Sequence, residues 1–150
     1  MSPQPVTAAL ELAEDAITAA LNALEPTGEA HWDGMPVGDV KRLQAYGFNP
    51  AAPGGLARCY VAQHQDGGGA RVQQLNAESW SGLVLIRVQS CVDAQARAGL
   101  QLAVVAMQGL TSPAGYTLFA RYERPRAIPY SPADKIFTRA AQWRVTIRRV

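Results

Sequence analysis

The segment from Trp80 to Gln89, WSGLVLIRVQ, constrains the fold more than any other part of this 150-residue sequence. Its apolar even positions are Trp80, Val84, Ile86 and Val88. Leu83 and Leu85 make the other face partly apolar as well. Alternation with a period of two predicts a β-strand, and apolar residues on both faces predict a strand inside a sheet. The chain is therefore expected to fold around a central strand.

Two amphipathic helices are predicted, one before this strand and one directly after it. In both segments, apolar residues recur at three- and four-residue steps, which places them on one helix face. These residues are Val6, Leu10, Ala13, Ile17, Leu21 and Leu24 in the first helix, and Val92, Ala96, Leu100, Ala103, Val104 and Met107 in the second. Pro26 and Gly28 should end the first helix, and Gly109 should end the second.

The rest of the chain alternates strand patterns with Gly- and Pro-rich stretches. Strands are predicted at 58–63, at 71–75 as a hairpin return after the Gly67–Gly69 run, at 116–122 and at 136–149. Residues 26–57 and 123–135 are expected to be irregular, because Gly and Pro interrupt regular structure. Within the first of these stretches, the sequence leaves room for a short helical turn around Val40–Ala45. Strands without helical crossovers favour antiparallel pairing. We therefore predict a single α+β domain over residues 1–150, with a mainly antiparallel sheet, two helices packed on one face and long Gly/Pro-rich loops.

Acidic and basic residues are segregated along the sequence. Residues 1–40 contain seven acidic residues and no Lys or Arg, whereas the remainder contains all 14 basic residues and five acidic ones. Such asymmetry is typical of nucleic-acid binders. It is equally typical of a subunit whose acidic face meets a basic face of its neighbour. The charge pattern leaves both interpretations open.

Several protein classes do not fit the sequence. No apolar run reaches the roughly 18 residues of a membrane helix. The first 15 residues contain no Lys or Arg, so we expect no secretory signal and no membrane partner. Two cysteines, Cys59 and Cys91, are too few for a disulfide framework and are expected to be free thiols in a reducing cytoplasm.

The residues that could carry catalysis do not form a recognisable motif. His31 and His64 lack a metal-binding spacing. Cys59 with His64 suggests a nucleophile–base pair, but a strand residue and a loop histidine are the simpler interpretation. The run at Gly67–Gly69 lacks the Lys-Ser/Thr ending of a phosphate loop. We therefore predict a protein that is not an enzyme and that has no cofactor and no metal.

Arginines near the carboxyl end are the main candidates for binding. Arg144 and Arg148 should share one face of the last strand, and Arg124 and Arg126 precede it. These side chains suit phosphate contacts, an ordinary solvent-facing strand, or a subunit interface or the wall of a DNA-conducting pore. The predicted interface or pore-lining residues are Glu11, Glu14, Arg124, Arg126, Arg144 and Arg148.

The order of elements, the connector ERPRAIPY and the closing strand R-x-x-Q-W-R-V-T-I-R-R together resemble the tail terminator, or tail completion, proteins of long-tailed bacteriophages. The similar parts are Trp80–Leu110 and Tyr116–Val150. The resemblance implies an α+β subunit that forms a homohexameric ring on the last ring of the tail tube protein. Such a ring ends tube polymerisation, presents a surface to the head–tail connector protein and surrounds the DNA that passes through its lumen.

The resemblance also implies a structural virion protein of the phage neck that is assembled in the host cytoplasm. It implies no catalytic residues. A ring of this kind needs heterologous contacts, in which one patch meets a different patch on the next subunit. Glu11 and Glu14 against a neighbour's basic sheet surface would satisfy that need. Another head–tail connector (a stopper or neck protein) and a small nucleic-acid-binding module that uses the C-terminal arginines are the alternatives.

Overall fold

A computed structural model describes residues 8–24, 28–34, 37–65 and 79–150. In these residues the chain forms three helices and five strands. In chain order they are α1 (Ala8–Asn22), β1 (Gly28–Trp32), α2 (Val37–Phe48), β2 (Arg58–His64), β3 (Ser79–Ser90), α3 (Asp93–Gln108), β4 (Tyr116–Arg126) and β5 (Phe137–Arg149). None of the described helices has the length and apolar character needed to span a membrane.

The five strands form one mixed sheet in the order β1-β2-β3-β5-β4. β1 and β2 are parallel, and α2 supplies the crossover that a parallel connection requires. The other three pairings are antiparallel. β3 lies in the middle and pairs with β5 from Ser79 opposite Arg148 to Ser90 opposite Phe137. The predicted central strand is therefore confirmed.

Helices α1 and α3 cover one face of this sheet. Ile17 and Leu21 of α1 and Ala103 and Met107 of α3 belong to the same buried cluster as the sheet residues. The sheet contributes Tyr60, Ala62, Trp80, Val84, Ile86, Val88, Leu118, Ala141, Trp143, Val145 and Ile147. These side chains alternate along the strands, as expected for a sheet with one apolar face. The main core thus lies between the sheet and two helices.

Helix α2 packs on the opposite face. Its Leu43 forms a second buried cluster with Leu56, Cys59 and Ile136. Cys59 and Tyr60 are consecutive strand residues, so their side chains point to opposite faces of β2. On this face, α2 contacts the strands β2 and β3. The same face of β4 and β5 carries exposed side chains instead.

The α+β class is confirmed, but the finer prediction needs correction. Two helices on one face were expected, whereas the described residues form three helices on two faces. The expected loop over 26–57 contains both β1 and α2, because its prolines and glycines lie mostly outside these elements or near their ends. β4 continues to Arg126, into the predicted connector 123–135. The predicted hairpin return at 71–75 and the Gly67–Gly69 run lie outside the described residues.

Candidate functional site

The alternation along β5 separates core residues from a basic surface. Trp143, Val145 and Ile147 are fully buried against the helices, whereas Arg144 and Arg148 are exposed on the other side. This arrangement follows from the period of two in a strand. The predicted placement of Arg144 and Arg148 on one face is therefore correct.

β4 adds three further arginines to the same surface, and two of them lie there because of a β-bulge. Arg121 pairs with Arg144, and the register then shifts between Tyr122 and Arg124. Without a bulge, Arg121 and Arg124 would point to opposite faces, because they are three residues apart. The extra residue at the bulge reverses this alternation, so that Arg124 lies opposite Gln142 on the surface that also carries Arg144. Arg126 follows two residues later on the same side. We call Arg121, Arg124, Arg126, Arg144 and Arg148 the arginine face.

Gln142 organises the centre of the arginine face. Its side chain is buried, with 1% exposed, and its amide nitrogen donates a hydrogen bond to Oε1 of Glu123 at 3.0 Å. Arg126 Nη1 donates to Gln142 Oε1 at 3.1 Å. A buried amide is thus satisfied on both sides, as buried polar groups generally are. Gln142 therefore fixes the positions of Arg126 and Glu123 relative to each other.

Glu123 is the carboxylate that lies among these arginines. Its Oε2 is 3.7 Å from Arg121 Nη2 and 3.7 Å from Arg144 Nε. The pKa of Glu123 is lowered, first by the hydrogen bond from Gln142 and then by the charges of Arg144, Arg121 and Arg124. Five guanidinium groups and one carboxylate leave a net charge of 5 − 1 = +4 on this surface. The arginine face is therefore cationic even after its internal ion pairs are counted.

A cavity of about 300 Å³ adjoins the arginine face at Arg126. Its lining includes the apolar and aromatic side chains of Ile128, Tyr130 and Phe137. Asp93 and Arg139 complete it, and Arg139 donates two hydrogen bonds to the Asp93 carboxylate, at 3.1 and 2.9 Å. This pair lowers the pKa of Asp93 and raises that of Arg139. The lining of the cavity thus combines apolar and charged side chains.

The predicted acidic residues lie on the other side of the molecule. Glu11 and Glu14 belong to α1, which packs on the sheet face opposite the arginines. Glu11 is exposed, whereas Glu14 lies 2.9 Å from His64 Nε2 in the same chain. Within one subunit the structure does not bring the acids and the arginines together. Glu11 is thus at the surface, where another subunit could reach it, and Glu14 is engaged with His64.

Cys59 and His64, which the sequence suggested as a nucleophile–base pair, do not lie together in the structure. The two residues are five positions apart on β2 and point to opposite faces, with Cys59 beside Leu43 and His64 beside Trp80. Cys59 lies instead near His31 and Asp39. The roles of Glu123 and Gln142 were also missed by sequence reasoning. The bulge brings Glu123 and Gln142 into one hydrogen-bond network, and the sequence pattern does not predict this bulge.

Comparison with known proteins gives no assignment: no protein-family model matches the chain, and no curated protein matches its sequence.

Proposed function

We propose that this chain is a structural subunit of the tail terminator type. In this proposal six copies form a ring that caps the phage tail tube, ends its polymerisation and contributes to the head–tail interface. The observation that carries the proposal is the arginine face, an ordered cationic surface on a side of the domain that is not used for the main core. In a ring this surface would face the DNA that passes through the lumen.

The arrangement of the arginines favours an external anion. Arg121 and Arg144 are directly opposite each other on adjacent strands, and like charges in such positions destabilise a sheet. Glu123 offsets part of this repulsion, at 3.7 Å from each of them. Guanidinium groups bind phosphate oxygens through two parallel hydrogen bonds. Phosphates along a DNA strand would therefore supply the charge that the subunit itself lacks.

The exposed edge of β4 offers a route to subunit contacts. Among the described strands, β4 is an edge strand of 11 residues, and edge strands present unpaired backbone groups to other chains. Two aromatic side chains along it are partly exposed, Phe119 at 47% and Tyr122 at 43%. A ring needs a second, different patch on the neighbouring copy. The exposed acids Glu11 and Asp15 on α1 provide a patch of opposite charge.

The oligomeric state tests this proposal. We expect mass photometry and negative-stain images, recorded with and without the tail tube protein, to show rings or tube caps of six 16.1 kDa subunits. Glu11→Lys should reduce ring formation if α1 meets a basic neighbour. Thr111→Lys, at an exposed position that belongs to neither patch, is the matched control. A chain that stays monomeric under both conditions contradicts the proposal.

A small nucleic-acid-binding module is the second candidate, and Phe119 is the observation that favours it. Phe119 is opposite Thr146 on β5, so it lies among the arginines, where a base could stack. In this case a monomer binds DNA. Arg144→Ala should then lower the slope of log K against log salt by about 0.7 for single-stranded DNA. Arg97→Ala, an exposed arginine on α3, should leave that slope unchanged. A third candidate, close to the first, is another head–tail connector protein. Binding of the chain to the end of the tail tube would distinguish a tail terminator from such a connector.

A further inference from the structure

Three side chains from three different elements meet beside α2, away from the arginine face. They are His31 of β1, Asp39 of α2 and Cys59 of β2, and one ligand atom from each lies within 4.8 Å of the other two. The parallel pairing of β1 with β2 sets His31 opposite Val61, on the same face as Cys59. Asp39 reaches this point from the first turn of α2, which packs over that face. The fold therefore concentrates a nitrogen, an oxygen and a sulfur donor in one place.

We propose that His31, Asp39 and Cys59 form a binding site for one divalent transition-metal ion of the Zn²⁺ class. A thiolate together with an imidazole selects Zn²⁺ and similar ions, whereas Mg²⁺ and Ca²⁺ prefer sites made of oxygen atoms. Three protein ligands leave the fourth tetrahedral position for water. The site goes beyond the proposed ring function and does not depend on it.

The distances suit such an ion after a small adjustment. Zn²⁺ bonds of 2.0–2.3 Å in a tetrahedron place neighbouring ligand atoms about 3.3–3.8 Å apart. The three donor atoms are within 4.8 Å of one another, so the widest separation closes by at most about 1.5 Å. His31 Nε2 and Asp39 Oδ2, now 2.6 Å apart, would separate by about 1 Å as both turn toward the ion. Side-chain rotation can provide movements of this size.

The surroundings of Asp39 match those of a metal-binding carboxylate. Arg42 Nη1 donates to Asp39 Oδ1 at 3.3 Å, while the other oxygen, Oδ2, faces His31. Arg42 is itself held by a hydrogen bond from its Nε to the carbonyl of Gly54, at 2.8 Å. Partners of this kind orient ligands in metal sites. Asp39 is thus placed to give the ion one oxygen.

The three ligand residues differ in their exposure to solvent. Cys59 is fully buried and the Asp39 side chain is 10% exposed, whereas the His31 side chain is 23% exposed. A buried thiolate is stabilised when a metal ion binds it, and binding releases the thiol proton. The His31 ring is the most exposed part of the site, although its Nε2 atom is buried. A bound ion would fasten the edge strand β1 and helix α2 to β2.

The test is a titration of metal-free protein with Zn²⁺ and with Co²⁺. We expect one ion per chain, and a thiolate-to-Co²⁺ charge-transfer band that identifies a sulfur ligand. Cys59→Ser and His31→Gln should each weaken binding at least tenfold, or about 1.4 kcal/mol. The chain contains two cysteines and two histidines, so Cys91→Ser and His64→Gln are matched controls and should bind as the unaltered chain does.

Two further measurements keep the proposal falsifiable if a ligand variant fails to fold. X-ray absorption on the Zn²⁺ complex of the unaltered chain should show one sulfur and otherwise nitrogen or oxygen ligands. Asp39→Asn, which keeps the size of the side chain, should weaken Zn²⁺ binding while circular dichroism stays unchanged. Absence of stoichiometric binding overturns the proposal, as does a complex without sulfur or an equal loss in Cys91→Ser. None of these results depends on whether rings form.

Discussion

His64 Nε2 lies 2.9 Å from Oε2 of Glu14, and this contact joins β2 to α1 across 50 residues of sequence. The imidazole sits between the indoles of Trp32 and Trp80, with ring centroids 5.2 and 5.4 Å away in edge-to-face orientation. Its side chain is 7% exposed. The second ring nitrogen, Nδ1, is buried without a hydrogen-bond partner among the described residues. The contact with Glu14 therefore offsets part of the free-energy cost of burying the polar imidazole of His64.

Replacement of Glu14 should destabilise the fold. Glu14→Ala leaves His64 Nε2 buried without its partner, which should lower the free energy of unfolding by about 1–3 kcal/mol. Asp15→Ala, at the exposed neighbouring position, should change it by less than about 0.5 kcal/mol. Urea denaturation of both variants measures the difference. Equal effects would mean that the Glu14–His64 contact contributes little.

The same contact decides which acid can test subunit assembly. Charge reversal at Glu14 would disturb the fold and any interface together, since its carboxylate is used inside the chain. Asp15 is exposed beside it on α1 and belongs to the same acidic patch, so charge reversal at Asp15 separates the two effects. Asp15→Lys should therefore reduce ring formation and keep its unfolding midpoint.

At Gly99, helix α3 lies so close to the sheet that there is no room for a side chain. A Cβ atom at this position would lie 2.5 Å from Val88 Cγ1 and 2.8 Å from Arg58 Cδ. Such overpacking costs about 1–3 kcal/mol, which the better helix propensity of alanine offsets by up to about 1 kcal/mol. Gly99→Ala should therefore lower the melting temperature. Gly38→Ala in α2 meets nothing within 4 Å and should leave it unchanged or raise it.

Part of the fold was predictable because its patterns are local. The alternation in β3 and the three- and four-residue steps of α1 and α3 specify one face each, so these elements were assigned correctly. Of helix α2, only a short turn around 40–45 was anticipated, because glycines and prolines are frequent around it. Pro36 precedes Val37, where the helix begins, and Pro50 follows its end, and proline is compatible with helix formation at such positions. β1 has only five residues, too few for a periodic signal.

The candidate site was only partly predictable, because its decisive feature is a change of register. Alternation alone places Arg144 and Arg148 on one face. It separates Arg121 from Arg124, and only the bulge at Glu123 reunites them. The pairing of Glu14 with His64 depends on packing between elements 50 residues apart, which a linear pattern does not contain. The metal-site hypothesis likewise arises from the tertiary meeting of β1, α2 and β2.

Acid should weaken the link between α3 and β5. The hydrogen bonds from Arg139, followed by that from Arg97, hold the pKa of Asp93 below its ordinary value. A carboxylate with a lowered folded-state pKa stabilises the fold fully above its unfolded value, about 3.9 for Asp. This contribution is lost as the pH falls through the lower folded-state pKa. The native chain should thus lose stability in acid partly through this group.

Asp93→Asn isolates that contribution. The unfolding midpoints of the unaltered chain and of Asp93→Asn should differ most above about pH 5 and converge as the pH falls below about 4. Arg139→Gln removes the other half of the pair and should reproduce much of the pH dependence of Asp93→Asn. A difference between variant and unaltered chain that stays constant with pH would contradict the assigned role.

The thiol of Cys91 should be alkylated slowly, in part because of the negative charge of Asp134. Burial raises the pKa of Cys91, and the negative charge of Asp134 raises it further. The thiolate is the reactive form, so alkylation of the native protein should reach half its maximal rate above the ordinary pKa of about 8.5. Asp134→Asn should shift that midpoint to lower pH and speed the reaction at a fixed pH. Asp15→Asn, the same change on α1, is the control and should leave the alkylation midpoint of Cys91 unchanged. Cys59 is fully buried and should be alkylated after unfolding. Peptide-resolved mass spectrometry distinguishes the two thiols, and a midpoint that Asp134→Asn leaves in place would show that burial alone controls Cys91.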